Sequence, residues 1–282
     1  MAKDRTSMTS FPARIHVLLA SKAPLGVVMR RGPSGQVATL LWDRRSDKFQ
    51  MGQWMKGRIY ERRCDLSHDG RYLLYLTMNA RWQSEAKGAW TANSRAPYLK
   101  AVALFPKGDC WLGGGLWTGS RRYWLNGGGC HEVLWDTREV QRDTGYQLPG
   151  PFGSECPSVY YPRLMRDGWR LVERTSRARW QSEDLFEKPA GQDWILRKIA
   201  HGEVGARQGK GSYWDEHYLL RDDDGARIDC PHWEWADLDR ERLVWATGGR
   251  LYSGYLAQSG LMAQTELIDF NLLAFEPIQA PY

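Results

Sequence analysis

Four short stretches place chemically capable side chains close together. In Trp214-Asp215-Glu216-His217, the period of two along a strand sends Asp215 and His217 to one face, the arrangement an acid/base pair requires. No nucleophile or third partner accompanies them. Cys130-His131-Glu132 and Cys230-Pro231-His232-Trp233-Glu234 gather potential ligands, but neither supplies the second well-spaced pair of a zinc site. Arg221 to Asp229, RDDDGARID, surrounds a glycine with carboxylates yet lacks the closing glutamate of a calcium loop, and reads as a β-turn. The runs Gly113-Gly114-Gly115 and Gly127-Gly128-Gly129 precede no Lys-Ser/Thr and open no helix, so turns or close strand approach explain them better than a phosphate loop. No cofactor is expected, and nothing demands an enzyme.

The elements that would position these residues are short and β-like. Apolar runs such as Val37 to Trp42, Arg71 to Leu76, Val102 to Phe105, Val133 to Trp135, Ile195 to Ile199 and Arg242 to Trp245 are punctuated by Gly, Pro, Asn or Asp. No window keeps a 3.6-residue amphipathic period over three turns. The chain reads as all-β.

An internal repeat orders the strands. ARWQSE occurs at Ala80 to Glu85 and again at Ala178 to Glu183, and the match extends back through an Asp-Gly turn, so that Asp69 to Glu85 lies over Asp167 to Glu183 with ten of 17 positions identical. A second signature, LLWD at Leu40, VLWD at Val133 and LLRD at Leu219, recurs at intervals of 93 and 86 residues. DLDRERLVWAT from Asp237 matches DLSHDGRYLLYLT from Asp65 once two turn residues are dropped.

A period of about 90 is twice a four-stranded blade of about 40 to 45 residues. Three doublets predict six blades, with the weaker members around Ala101 to Asn126 and Trp194 to Tyr218. The last unit is short, and residues 1–39 would complete it. The expected fold is a single domain over residues 1–282, a closed β-propeller whose N- and C-terminal strands share one unit and so protect its edges.

DLSHDGRYLLYLT resembles the WD40-like repeat of TolB-type β-propellers, and LLWD and VLWD look like the Trp-Asp strand endings of WD40 blades. The resemblance covers three stretches of about 35 residues, departs from the family where His68 replaces the usual turn proline, and implies a fold alone.

Charge and composition narrow the function. A net charge of +6 is spread in pairs such as Arg30-Arg31 and Arg62-Arg63 among acidic residues, so nucleic-acid binding is not favoured. No apolar stretch is long enough to span a bilayer, and five scattered cysteines form neither a disulfide framework nor a ribbon, which gives a cytoplasmic expectation. The 15 Trp are unusual. In the repeated hexapeptide, Arg81, Trp82, Gln83 and Glu85, with Arg179, Trp180, Gln181 and Glu183, are either inter-blade packing or a recognition patch on one face. The leading expectation is a non-enzymatic module that binds a protein partner. The alternatives are a carbohydrate-binding propeller and a hydrolase using Asp215, His217, Glu85 or Glu183 at the central channel.

Overall fold

The computed structural model describes residues 11–33, 35–153, 155–178, 181–203 and 211–282. The chain lays down five sheets in order. The first contains β1 (Arg14–Leu19), β2 (Leu25–Arg31), β3 (Gln36–Asp43) and β4 (Lys48–Lys56), each hydrogen-bonded to the next. Its sequence records depth: β1 to β3 are near-continuous apolar runs buried on both faces, whereas KFQMGQWMK in β4 alternates and is half exposed.

In the second sheet, β5 (Arg58–Ile59) and β6 (Asp65–Leu66) share one edge of β7 (Tyr72–Met78), followed by β8 (Ala89–Arg95) and β9 (Ala101–Pro106). The third is small, with β10 (Gly115–Trp117), β11 (Arg122–Leu125) and a parallel partner, β12 (Gln141–Arg142). Helix α1 (Cys156–Arg166) then precedes the fourth sheet of β13 (Arg170–Ala178), β14 (Gln181–Gly191), β15 (Trp194–Glu203), β16 (Tyr213–Arg221) and β17 (Arg227–Cys230). The fifth holds β18 (Trp235–Asp239), β19 (Arg242–Thr247), β20 (Arg250–Ala257) and β21 (Gly260–Asp269).

Neighbouring sheets share cores. Val27, Met29, Leu73 and Tyr75 join the first to the second; Leu74, Phe105, Trp117 and Tyr123 join the second to the third. Tyr161 and Leu164 of α1 pack with Phe186 and Leu196 of the fourth sheet and with Leu243 and Trp245 of the fifth. Val17, Leu40 and Trp42 meet Trp235, Val244 and Phe270, so the last sheet packs back onto the first.

The chain end also returns to the first sheet, but as an extended strap. Phe275 packs on Trp54, Gln53 Nε2 donates to the Ile278 carbonyl at 2.8 Å, and the Tyr282 hydroxyl donates to the Lys100 carbonyl at 2.7 Å.

Four sequence expectations change here. Among the described residues there are five sheets rather than six, because Trp194 to Tyr218 forms β15 and β16 inside the fourth sheet. No strand of residues 14–56 pairs with one of residues 235–269, so the first and last sheets meet face to face instead of sharing a unit. VLWD is not a strand: Val133 and Trp135 are 52% and 50% exposed, held by one bridge to Leu104, whereas Trp42 of LLWD is wholly buried.

The fourth change is the helix, which the all-β reading missed. CPSVYYPRLMR carries two prolines and spans only 11 residues, and every residue from Ser158 to Leu164 is buried, polar Ser158 and Arg163 included, so the pattern of a surface helix does not stand out. Its readable signals are Pro157 in the first turn and Asp167-Gly168 after the last. The Asp-Gly turn and following strand of the repeat do recur, with Gly70 at φ 75° and Gly168 at φ 91° leading into β7 and β13. What precedes the turn differs: β6 in one copy, α1 in the other.

Candidate functional site

The first, second, fourth and fifth sheets, the loop between β9 and β10 and the start of α1 open onto one funnel of about 1410 Å³. His16 of β1, Arg62, Trp111, Cys156 at the start of α1, Tyr213 of β16 and Trp233 mark its wall.

Local sequence explains how these side chains reach it. The edge of the second sheet is broken between β5 and β6 by a 3₁₀ turn, Glu61–Arg63, which carries both arginines to the funnel, where they are buried. Gly114 makes this approach possible: its φ is 72°, and a side chain there would collide with the Arg63 backbone. Arg63 ties three elements together. Its Nη1 donates to the carbonyls of Cys110 at 2.6 Å and Trp111 at 3.0 Å, its Nη2 lies 3.2 Å from Glu155 Oε2, and its Nε donates to Cys156 Sγ at 3.3 Å. Trp111, thus held by its backbone, keeps its side chain at the rim, where the residue is 70% exposed. Tyr60, between the Arg58 and Arg63 guanidinium groups, is kept protonated by burial and by Cys110, its hydroxyl pushed up to about 12.

Helix α1 touches the surrounding sheets by polar contacts. Tyr160 donates to Asp215 Oδ2 of β16 at 2.6 Å, Tyr161 to Asp184 of β14 at 2.6 Å, and Ser158 to Asn126 at 3.0 Å. Arg166 grips Asp65 of β6 with two nitrogens at 2.6 and 2.9 Å.

Asp215 also faces Arg62 at 3.0 Å, and Lys198 of β15 donates to the Tyr160 hydroxyl at 3.3 Å. Burial pushes Asp215 toward protonation, but Arg62 and Lys198 outweigh it and hold the carboxyl below its ordinary range. Lys198 moves the other way: burial lowers its ammonium to about 8, against the pull of Asp215 and Asp237. Asp215 is an ion-pair anchor: Oδ2 accepts from Tyr160, and Oδ1 lies in ion-pair contact with Arg62 without a well-aligned hydrogen bond.

The sequence-derived candidates divide. Asp215 and His217 do share a face of β16 and are both buried, yet only Asp215 lines the funnel. Burial drives His217 down to about 3, leaving a neutral ring with Nδ1 against the Trp233 carbonyl at 3.3 Å.

Of the second hexapeptide, Gln181 lines the funnel and reaches Glu203 at 3.3 Å, while Glu183 lies 3.8 Å from His201; Arg179 and Trp180 fall outside the described residues. Arg81, Trp82, Gln83 and Glu85 sit in an exposed loop between β7 and β8, with Trp82 half exposed over Gly88, and none lines the funnel. The two copies therefore contribute differently to this site. His131 turns to the Gly128 carbonyl while Glu132 pairs with Lys87, and among the described residues no three His, Cys, Asp or Glu side chains gather around a common point.

Sequence reading passed over Tyr60, Arg62, Arg63, Trp111 and Glu155 as site residues. YERRC resembles a solvated charge run, and only the broken inner strand turns it inward.

No helix among the described residues is long and apolar enough to cross a membrane. No family model matches the chain, and no curated protein matches it. Among solved structures, a chain in the crystal structure of the mitotic checkpoint complex is similar at 11% identity and a TM-score of 0.24, covering 98% of this chain and 86% of that one. A second, from the crystal structure of Saccharomyces cerevisiae Sqt1, is 10% identical with a TM-score of 0.20, over 96% of this chain and 65% of that one.

Proposed function

We infer that residues 1–282 form a protein-interaction module: a five-bladed propeller ring, sealed at its axis by α1, that receives a segment of a protein partner in the funnel. One observation carries this reading. The funnel, at about 1410 Å³, exceeds the roughly 300–1,000 Å³ of a small-ligand pocket. Its carboxylates Glu61, Glu155 and Asp215 are committed to Arg31, Arg63 and Arg62, an arrangement suited to holding shape rather than to acid/base turnover. Trp111 at the rim supplies the exposed aromatic anchor from which binding energy is drawn. Cysteines 64, 110, 156 and 230, all free thiols, support a reducing compartment, the cytoplasm.

Affinity purification from the native host, with quantitative mass spectrometry, tests the reading by comparing wild type with Trp111→Ala. A near-stoichiometric partner recovered with wild type and at least about tenfold depleted with the variant is expected, since an aromatic anchor is worth about 2 kcal/mol or more. Failure to recover any partner overturns it. Carbohydrate binding is the second reading, favoured by three tryptophans, Trp111, Trp214 and Trp233, that line the funnel; a blank glycan array removes it.

A further inference from the structure

The polarity of the axis says what such a segment must carry. His16 lines the funnel with only 5% of its surface exposed, and its Nε2 lies 3.0 Å from Arg163 Nη2. A guanidinium can only donate, so Nε2 accepts and the ring proton sits on Nδ1. That N–H meets no acceptor among the described residues.

Arg163 itself is buried against the carbonyls of Glu61, at 3.1 Å, and Cys64, with no ion pair to a carboxylate among the described residues. Around Tyr160, the charges of Arg62, Arg163 and Lys198 lie 4.9, 5.2 and 5.6 Å from the ring, and Asp215 pairs with Arg62. Carboxylates collect instead at the far end of α1, where Asp65, Asp167 and Asp237 face Arg166 and Lys188. The helix points the same way, with Cys156 and Pro157 of its first turn on the funnel and Asp167 beside a cavity of about 20 Å³ at the other end. Arg163 and Lys198 border that smaller cavity together with Asp65, Asp167 and Asp237, so at the funnel floor it is Arg62 and the first turn of α1 that supply positive potential. The funnel's own acids are engaged: Glu61 by Arg31, Glu155 by Arg63 and Tyr213, Glu203 by Gln181, and Glu234 by the Ile15 amide.

We propose that the floor of the funnel is an oxyanion site, in which His16 Nδ1–H donates to a carboxylate or phosphate on the incoming segment, in the field of Arg62 and the first turn of α1. This rests on the funnel being where the segment enters. The state of His16 agrees with it: burial, then Arg163, Arg62, Lys198 and Arg31, keep its imidazole well below the usual range, so an arriving anion would be the charge that raises it.

The test uses the purified full chain with isotope-labelled histidine side chains, assigned with His16→Leu. Inorganic phosphate and an acetylated tri-glutamate peptide are titrated separately against sodium chloride of equal ionic strength. A saturable shift of the His16 resonances, with its titration midpoint raised by about one pH unit, that is about tenfold in proton affinity, is expected for at least one probe and not for chloride. Response to phosphate alone assigns a phosphorylated segment; response to the peptide alone assigns an acidic one. Resonances that ignore both probes, or that follow ionic strength only, overturn the site, and this holds whether or not His16→Leu folds. Partner recovery through Trp111 with an unresponsive His16 keeps the interaction reading and discards the anion site; the opposite pair of results does the reverse.

Discussion

At the scale of single residues, the axis is a set of buried charges whose value lies in their pairing. Removing one member of the Arg62–Asp215 pair strands the other in a dry interior, so Arg62→Met alone should cost about 3–5 kcal/mol, and Arg62→Met with Asp215→Leu together less than the sum of the two single changes. Urea unfolding of the three variants checks this. Lys198 is held as a cation at a cost, because its folded-state affinity for the proton is depressed. The unfolded chain therefore binds more protons between about pH 8 and 10.5, and the lysine's contribution to stability rises with pH across that window. Lys198→Met should accordingly be more stable than wild type at pH 7, and its advantage should shrink on going from pH 8 to 10, as thermal unfolding at each pH will show. An advantage that stays constant would contradict the depressed lysine.

At the scale of elements, the 3₁₀ turn between β5 and β6 and the strap after β21 do the positioning that regular strands cannot. Gly114→Ala drives a methyl group into the Arg63 backbone from a left-handed backbone angle, so both strain and displacement follow. A loss of about 2 kcal/mol or more is expected, together with weakened partner capture, because Arg63 holds Trp111. The strap is anchored by aromatic contacts over Trp54, Lys56, Arg95 and Lys100. Phe275→Ala with Tyr282→Ala should remove about 2 kcal/mol and lower Tm by about 4–8 °C in calorimetry. The glycine run was legible in the sequence as a place of close approach; the surface it approaches was not, since Arg63 lies about 50 positions earlier in the chain.

At the scale of the whole molecule, the interior stores neutral imidazoles. Burial is the leading cause that lowers His16, His131, to about 4, and His217, to about 3. The unfolded chain takes up these protons as pH falls below about 6.5 while the folded chain does not, so stability is lost on acidification from there, by up to about 1.4 kcal/mol per pH unit for each ring. Chemical denaturation between pH 7 and 5 should show this decline before the carboxylates titrate; a flat profile would mean that the rings are solvated.

Strand content and the Asp-Gly turn with its following strand were legible in the chain, because each depends on residues a few positions apart. Periodicity misled where similar letters met different surroundings. LLWD became a buried strand and VLWD an exposed loop; ARWQSE became a loop in one copy and entered β14 in the other. Tertiary structure alone decided that a largely buried helix stands among the sheets, that the first and last sheets meet face to face beneath a strap, and that arginines in an ordinary charge run line a funnel. These outcomes depend on contacts between residues far apart in the chain. Local pattern carries no record of which distant surface a side chain will meet.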